Sequence, residues 1–270
     1  MNIKDVILSY QKSGYGYADA EAKVSQDIIL FKIANSRYRD NITVKGGVVL
    51  HNISNDIRRA TRDLDIDFIK YSLSDDSICN FIVGLNVVDD DIQIEITGNI
   101  MPLHHQDYDG KRVHIRIKDK YDNKIDTKLD IGVHKLFDLE QDEYCFDLRL
   151  INQKVQLFIN SKEQIFTEKL KSLLKLGFRS TRYKDIFDFY YLIHITGLNQ
   201  MKLLKNIDIL IIQDNGMREN TLSDIVIRLD KIFSSPRYLS HLSNPVVNWL
   251  NIPIEEAIHK TLEYMKMLDK

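Results

Sequence analysis

Three aspartates at alternate positions, Asp63, Asp65 and Asp67, interleave with Leu64, Ile66 and Phe68. Strand side chains repeat every two residues, so the acids share one face and the apolar residues share the other. Carboxylates at i and i+2 have Cα atoms about 6.5–7 Å apart and point the same way, so Asp63 and Asp65 can reach one divalent cation or two adjacent ones. Hard oxygen donors suit Mg²⁺ or Mn²⁺, which bridge nucleotide phosphates and stabilise both the attacking and the leaving oxygen of an in-line displacement. Taken alone, the same pattern also describes a solvated strand face.

Upstream, the β-branched run Ile42-Thr43-Val44-Lys45 stops at Gly46-Gly47, after which Val48 to Arg59 is expected to form a helix. A glycine turn between strand and helix lets backbone N–H groups approach a phosphate, and the helix start adds a favourable field. Arg59 and Thr61 separate that turn from Asp63 and Asp65. In Lys124 to Val133, Asp126, Lys128 and Asp130 share one face opposite Leu129 and Ile131. Asp130 is the third candidate carboxylate, completing a metal site or accepting a proton from an attacking hydroxyl. Lys128 would neutralise phosphate charge, or is simply an exposed strand lysine.

The elements that must position these groups fall into two textures. Up to Asn160, a helix over Ala18 to Arg37 accompanies β-rich segments. These are Ile92 to Ile96, Val113 to Lys118, Lys124 to Val133, Tyr144 to Leu150 and Val155 to Ile159, giving a sheet of about six strands. From Ser161 on, helical spacing dominates: Glu163 to Leu176, Tyr183 to Ile195, Met201 to Ile212, Leu222 to Phe233 and Ile254 to Met267. Ser161 is placed to cap the first of these helices, with Gln164 three residues on. The expected fold class is α/β (α+β): a mixed-sheet domain over 1–160, then a helical bundle over 161–270.

The 270 residues carry 37 basic and 39 acidic side chains, a formal charge of -2, so no global field draws the chain to nucleic acid or membrane. Cys79 and Cys145 are too few and too far apart for a disulfide framework or a four-thiolate zinc site, and both are expected to be buried fillers. Met1 to Lys12 lacks the apolar core of a signal peptide, and no window approaches the roughly 18 uninterrupted apolar residues of a membrane helix. A soluble, cytoplasmic protein is expected.

With these residues in view, the chain resembles the AbiEii-like toxins of the nucleotidyltransferase superfamily. Lys45-Gly46-Gly47 followed by Arg59-Ala60-Thr61-Arg62-Asp63-Leu64-Asp65 is similar to that family's glycine pair, helix and Arg-x-Ser/Thr-x-Asp-hydrophobic-Asp signature, and Lys128-Leu129-Asp130 resembles its Lys-x-Asp strand. Glu168-Lys169-Leu170 and Arg182-Tyr183-Lys184-Asp185-Ile186-Phe187-Asp188 resemble its Glu-Lys-Leu and Arg-x-Lys-Asp-x-x-Asp motifs. The resemblance implies a nucleotidyltransferase-like domain in 1–160 and a cleft shared with the helical domain. Lys169 and Asp185 would then face the nucleotide, with Lys169 on the triphosphate and Lys184 and Asp188 beside it. It further implies an NTP substrate, Mg²⁺ or Mn²⁺, and an acceptor hydroxyl on transfer RNA, another RNA, a protein or a small molecule. A role as toxin opposite a cognate antitoxin, or in phage defence, follows from the same likeness. One departure stands out: the superfamily's Ser or Thr beside the glycines is replaced by Val48-Val49.

Two rivals remain at this level, a metal-dependent RNA nuclease and a nucleotide-binding regulatory module without turnover. Asp91 with Glu95 invites the nuclease reading, but Thr97 stands where a lysine is usual. Adjacent His104 and His105 read as a loop. Phe187, Phe189, Tyr190 and Tyr191 are expected to pack the helical core. The run Lys169, Lys171, Lys175, Arg179, Arg182 and Lys184 is the best local patch for an RNA backbone, if it is not simply a solvated helix face.

Overall fold

The computed structural model describes residues 1–88, 91–103, 110–136, 138–148 and 152–269, and it divides the chain into two units, Met1–Asn160 and Ser161–Lys270. The first unit opens with helix α1 (Ile3–Lys12), whose N-cap Asn2 accepts from the amides of Lys4 and Asp5, and α2 (Tyr17–Ala34). Strand β1 (Ile42–Lys45), helix α3 (Gly47–Ser54), β2 (Leu64–Ile69) and α4 (Asp75–Leu85) follow. The remaining strands are β3 (Ile92–Ile96), β4 (Met101–Pro102), β5 (Lys111–Asp119), β6 (Lys124–His134), β7 (Gln141–Leu148) and β8 (Gln153–Asn160).

These strands form one sheet in the order β3-β5-β6-β2-β1-β8-β7, with β4 paired to β5. β2 runs antiparallel to β1 and parallel to β6, and β1 runs parallel to β8, so the sheet is mixed. Leu64, Ile66 and Phe68 are each at most 2% exposed, and Phe68 meets Phe81 of α4 edge-on at 5.3 Å. Burying such side chains contributes roughly 1.5–3 kcal/mol each. A one-residue slip of β2 would drive its acids into this core, which fixes the register. That register places Asp65 opposite Lys45 on β1 and opposite Asp130 on β6.

Several expectations need correcting. The sheet has eight strands among the described residues rather than about six, because β4 is two residues long and leaves no periodic signal. The helix after the glycines stops at Ser54, where Asn55 adopts φ 50°, a left-handed conformation that asparagine tolerates, and Ile57–Arg59 forms a separate turn capped by Asp56. Asp63 precedes β2 rather than lying within it. Cys79 and Cys145 are exposed, on the outward sides of α4 and β7 whose inward positions hold Ile78 and Phe146. His104 and His105 lie outside the described residues, as do the last two residues of the expected strand ending at Leu150.

The second unit is helical: α5 (Lys162–Leu176), α6 (Asp185–Tyr190), α7 (Gln200–Ile207), α8 (Leu222–Phe233), α9 (Pro236–Leu242) and α10 (Ile254–Leu268). Ser161 caps α5 by accepting from the Gln164 amide at 3.2 Å, while the Gln164 side chain donates forward to Glu168 instead of back to the cap. The two segments expected as long helices from Tyr183 and Met201 each change to π-helical geometry, at Tyr191–Thr196 and Asp208–Ile212. Phe187 and Phe189 are fully buried, Phe189 lies 4.8 Å from Phe166, and Tyr191 packs on Trp249. Tyr190 instead stands at the surface side and donates to Glu256. No helix among the described residues is long and apolar enough to cross a membrane.

Candidate active site

β1 ends in a turn that only glycine fits. Gly46 has φ 70° and ψ -140°, a region L side chains rarely adopt, and a Cβ there would stand 2.8 Å from Asp65 Oδ2. A Cβ on Gly47 would stand 2.8 Å from Thr61 Oγ1. The glycine pair therefore brings the backbone at the start of α3 against one carboxylate and one hydroxyl. The carbonyl of Thr61 is held in turn by Gln26 Nε2 of α2 at 2.8 Å. Gly46→Ala should cost about 1–3 kcal/mol of stability from the backbone alone and displace Asp65 as well. Thermal melts should show that loss, while Gly98→Ala, with open space around it and an ordinary φ, should leave the melting temperature unchanged.

The acids separate into three environments. Asp65 is half-buried beside the glycine turn, and burial pushes its carboxyl up to about 6. The Lys45 charge opposes that shift, and the negative charges of Asp130, Asp63 and Asp67 add to it. Asp130 is buried and gripped on both oxygens by Arg112 of β5, Nε and Nη2 each donating at 2.7 Å. Asp63 is about half exposed and pairs with Lys128 Nζ at 2.9 Å.

The other sequence candidates take different places. Lys45 is buried, its ammonium 2.6 Å from Asp67 Oδ1 in an ion pair without hydrogen-bond geometry. Its cross-strand partner is Asp65, so the two side chains share one face of the sheet. Arg59 is buried and Thr61 half-buried. Asp126 is drawn off by Arg116 at 2.7 Å. Beside Asp63 and Lys128 opens a cleft of about 450 Å³, whose wall includes His114, Thr97 and residues of α2. Sequence reasoning missed Arg112, although it sits opposite Asp130 on a strand with alternating polarity. Its signal was the parity of Arg112, His114 and Arg116.

In the second unit Lys169 is 4% exposed. Its Nζ donates to Asp185 Oδ1 at 2.5 Å and lies 3.0 Å from Asp188 Oδ2. Arg182 Nε donates to Asp185 at 2.9 Å and Trp249 Nε1 to Asp188 at 3.0 Å. Lys184 is half-buried at the start of α6. The basic run is thus no continuous solvent-facing patch, because Lys169 is buried and Lys171 pairs with Asp214 at 2.6 Å.

A family model described as "Nucleotidyl transferase AbiEii toxin, Type IV TA system" matches residues 28–247. The chain belongs to this AbiEii family. It is accordingly a nucleotidyltransferase, and the toxin of a type IV toxin–antitoxin system is the family's role. A comparison with curated proteins finds no match. Among solved structures, an antigenic nucleotidyltransferase-like protein from Paracoccidioides brasiliensis aligns over 88% of this chain and 97% of its own, at 14% identity and a TM-score of 0.40. That likeness is too weak to inform function.

The donor set of this AbiEii chain suits a hard divalent cation. No group of three or more metal-ligating side chains converges among the described residues. Mg²⁺, however, is usually held by one or two carboxylates together with substrate phosphates rather than by an all-protein cage. Asp65 would suit such a role, since its burial among like charges disfavours the lone anion that a cation would relieve.

Proposed function

We propose that this AbiEii enzyme moves a nucleoside monophosphate from an NTP to an acceptor hydroxyl, releasing pyrophosphate, with Asp63, Asp65 and Asp130 as the metal-binding acids. The observation that carries this reading is the closeness of Asp65 to the glycine turn, where a Cβ on Gly46 would stand 2.8 Å from Asp65 Oδ2, so that a carboxylate lies beside backbone amides suited to phosphate. Bound Mg²⁺ or Mn²⁺ would neutralise charge developing on the transferred phosphoryl group and its leaving oxygen. The amides of Gly46 and Gly47 and the start of α3 bind the phosphates. Thr61, packed on Gly47, returns in space the hydroxyl that Val48-Val49 removes from the sequence.

Asp130 accepts the proton of the attacking hydroxyl or holds its oxygen, and Arg112 fixes the orientation of that carboxylate. The glycine turn lies on the β1 side of Asp65 and the 450 Å³ cleft on its β5–β6 side. In-line displacement needs the nucleophile opposite the leaving group, so the acceptor enters through that cleft. Thr61→Val removes one hydroxyl at nearly constant shape and should raise the KM for NTP several-fold with little change in melting temperature. An unchanged KM would take Thr61 out of phosphate binding.

NTP labelled at the α-phosphate, incubated with the protein, Mg²⁺ and total RNA, tests the reading. Labelled, lengthened RNA supports it; shortened RNA is the nuclease outcome, and bound but unchanged NTP is that of a regulatory module. The nuclease alternative has less support, since Asp91 pairs with Lys120 at 2.7 Å and Glu95 lies within 4.0 Å of both Arg116 and Lys118. An RNA end as acceptor, and an antitoxin opposing the enzyme in the cytoplasm, belong to the same proposal.

A further inference from the structure

A second cavity, of about 480 Å³, opens where α1, α2, α3 and β7 meet, away from the acids of β2 and β6. Its size lies within the range of small-molecule sites. Five of its lining residues, Ser9, Tyr10, Ser13, Tyr15 and Lys23, precede residue 28, where the AbiEii match begins. Tyr10 and Tyr15 meet edge to face at 5.2 Å, and Tyr144 contributes a third ring from β7. Tyr15 is positioned by His51 of α3, whose Nε2 lies 2.9 Å from the phenol oxygen.

Two side chains of the lining, Lys23 and Asn52, have donor protons to spare. Lys23 is 7% exposed; its Nζ donates to Asp27 at 2.8 Å and to Asn52 Oδ1 at 3.3 Å, which leaves its third proton without a partner among the described residues. Asn52 Nδ2 donates to Val48 O at 2.8 Å and keeps one proton in the same position. Two neighbouring donors therefore await acceptors. An anion is not what they await, because Asp27 offsets the Lys23 charge, Asp147 adds a negative one, and burial keeps His51 neutral with a value lowered to about 4.

A planar, uncharged ring with two adjacent acceptors on one edge meets all of this: faces for the tyrosines, acceptors for the donors, and no charge to be repelled. We propose that this cavity is a nucleobase site, separate from the triphosphate turn, that takes a base through a paired-acceptor edge such as O6 and N7 of guanine. Lys23 connects it to the first site, because Gln26, one turn further along α2, holds the Thr61 carbonyl. The C-terminal end of α3 lies about 12 Å along that helix from Gly47.

Ligand-observed NMR with guanosine, adenosine, cytidine and uridine on the full chain, without added metal, tests the assignment. Guanosine should bind about tenfold more tightly than adenosine, which offers a donor at one of the two positions. Binding should persist in Asp65→Asn, fall at least tenfold in Asn52→Leu, and disappear in Ile57→Trp. Ile57 is 38% exposed at the cavity wall, so a larger ring there fills the space without entering the core. Absence of nucleoside binding, retention of binding in folded Ile57→Trp, or loss of binding in Asp65→Asn instead would overturn the proposal. The Asp65→Asn arm also separates this site from the transfer reading, which can fail while nucleoside binding stands.

Discussion

Asp65→Asn should reduce nucleotidyl transfer by at least about a thousandfold, a loss of roughly 4 kcal/mol of transition-state stabilisation, while raising the thermal stability of the metal-free protein at neutral pH. Both effects come from one cause. The Asp65 carboxyl sits among like charges beside the Gly46 backbone, where burial lifts it from 3.8 to about 6. The folded state keeps its proton between about pH 4 and 6, whereas the unfolded chain has already lost it. Stability therefore falls as pH rises through that window, by at most on the order of 2–3 kcal/mol. Asparagine cannot ionise, so the variant's melting temperature should exceed that of the native protein at pH 7 in EDTA, with the gap closing toward pH 4. Saturating Mg²⁺ and NTP should narrow the gap at pH 7 by stabilising the native enzyme alone. Equal melting temperatures across the range would show that Asp65 is not held against its own charge.

The second large effect concerns stability in the helical unit. Lys169→Ala leaves Asp185 and Asp188 buried with Arg182 and Trp249 as their remaining named partners, and removing one member of a buried ion pair typically costs about 3–5 kcal/mol. Had Lys169 been an exposed helix lysine, the cost would have been within about 0.5 kcal/mol. A phosphate contact by Lys169 would have to compete with two carboxylates. Denaturant melts should show the large loss, and Asp188→Asn, which keeps the Trp249 acceptor while removing one charge, should cost less. If the folded Lys169→Ala protein also loses affinity for NTP, the amine touches phosphate as well. A cost below about 1 kcal/mol would contradict the buried network.

Sequence alone carried the acids of β2 and β6 because strand alternation is a local property. Leu64, Ile66 and Phe68 announce which face is buried, and the glycines announce a turn. It could not carry what depends on the partner strand. Whether Asp67 faces phosphate or Lys45 is decided by the β1–β2 register, and Arg112 reaches Asp130 only because β5 pairs antiparallel with β6. The burial of Lys169 was hidden for a related reason, since two aspartates on α6 compensate its charge and a lysine among helical apolar residues reads as solvated. The cysteines misled in the other direction, because a small apolar residue type carries no sign of which way its helix or strand turns it. The nucleobase cavity left no trace in any motif, as its walls come from four separate elements.

Diffraction from crystals grown with Mn²⁺ and a non-hydrolysable NTP, with data collected at the manganese edge, tests the central claim most directly. The account predicts an anomalous peak within about 2.0–2.4 Å of an Asp65 oxygen, shared with Asp63 or Asp130 and a phosphate oxygen, and phosphates resting on the amides of Gly46 and Gly47. Manganese and nucleotide bound elsewhere, with Asp65 in contact with neither, would contradict it.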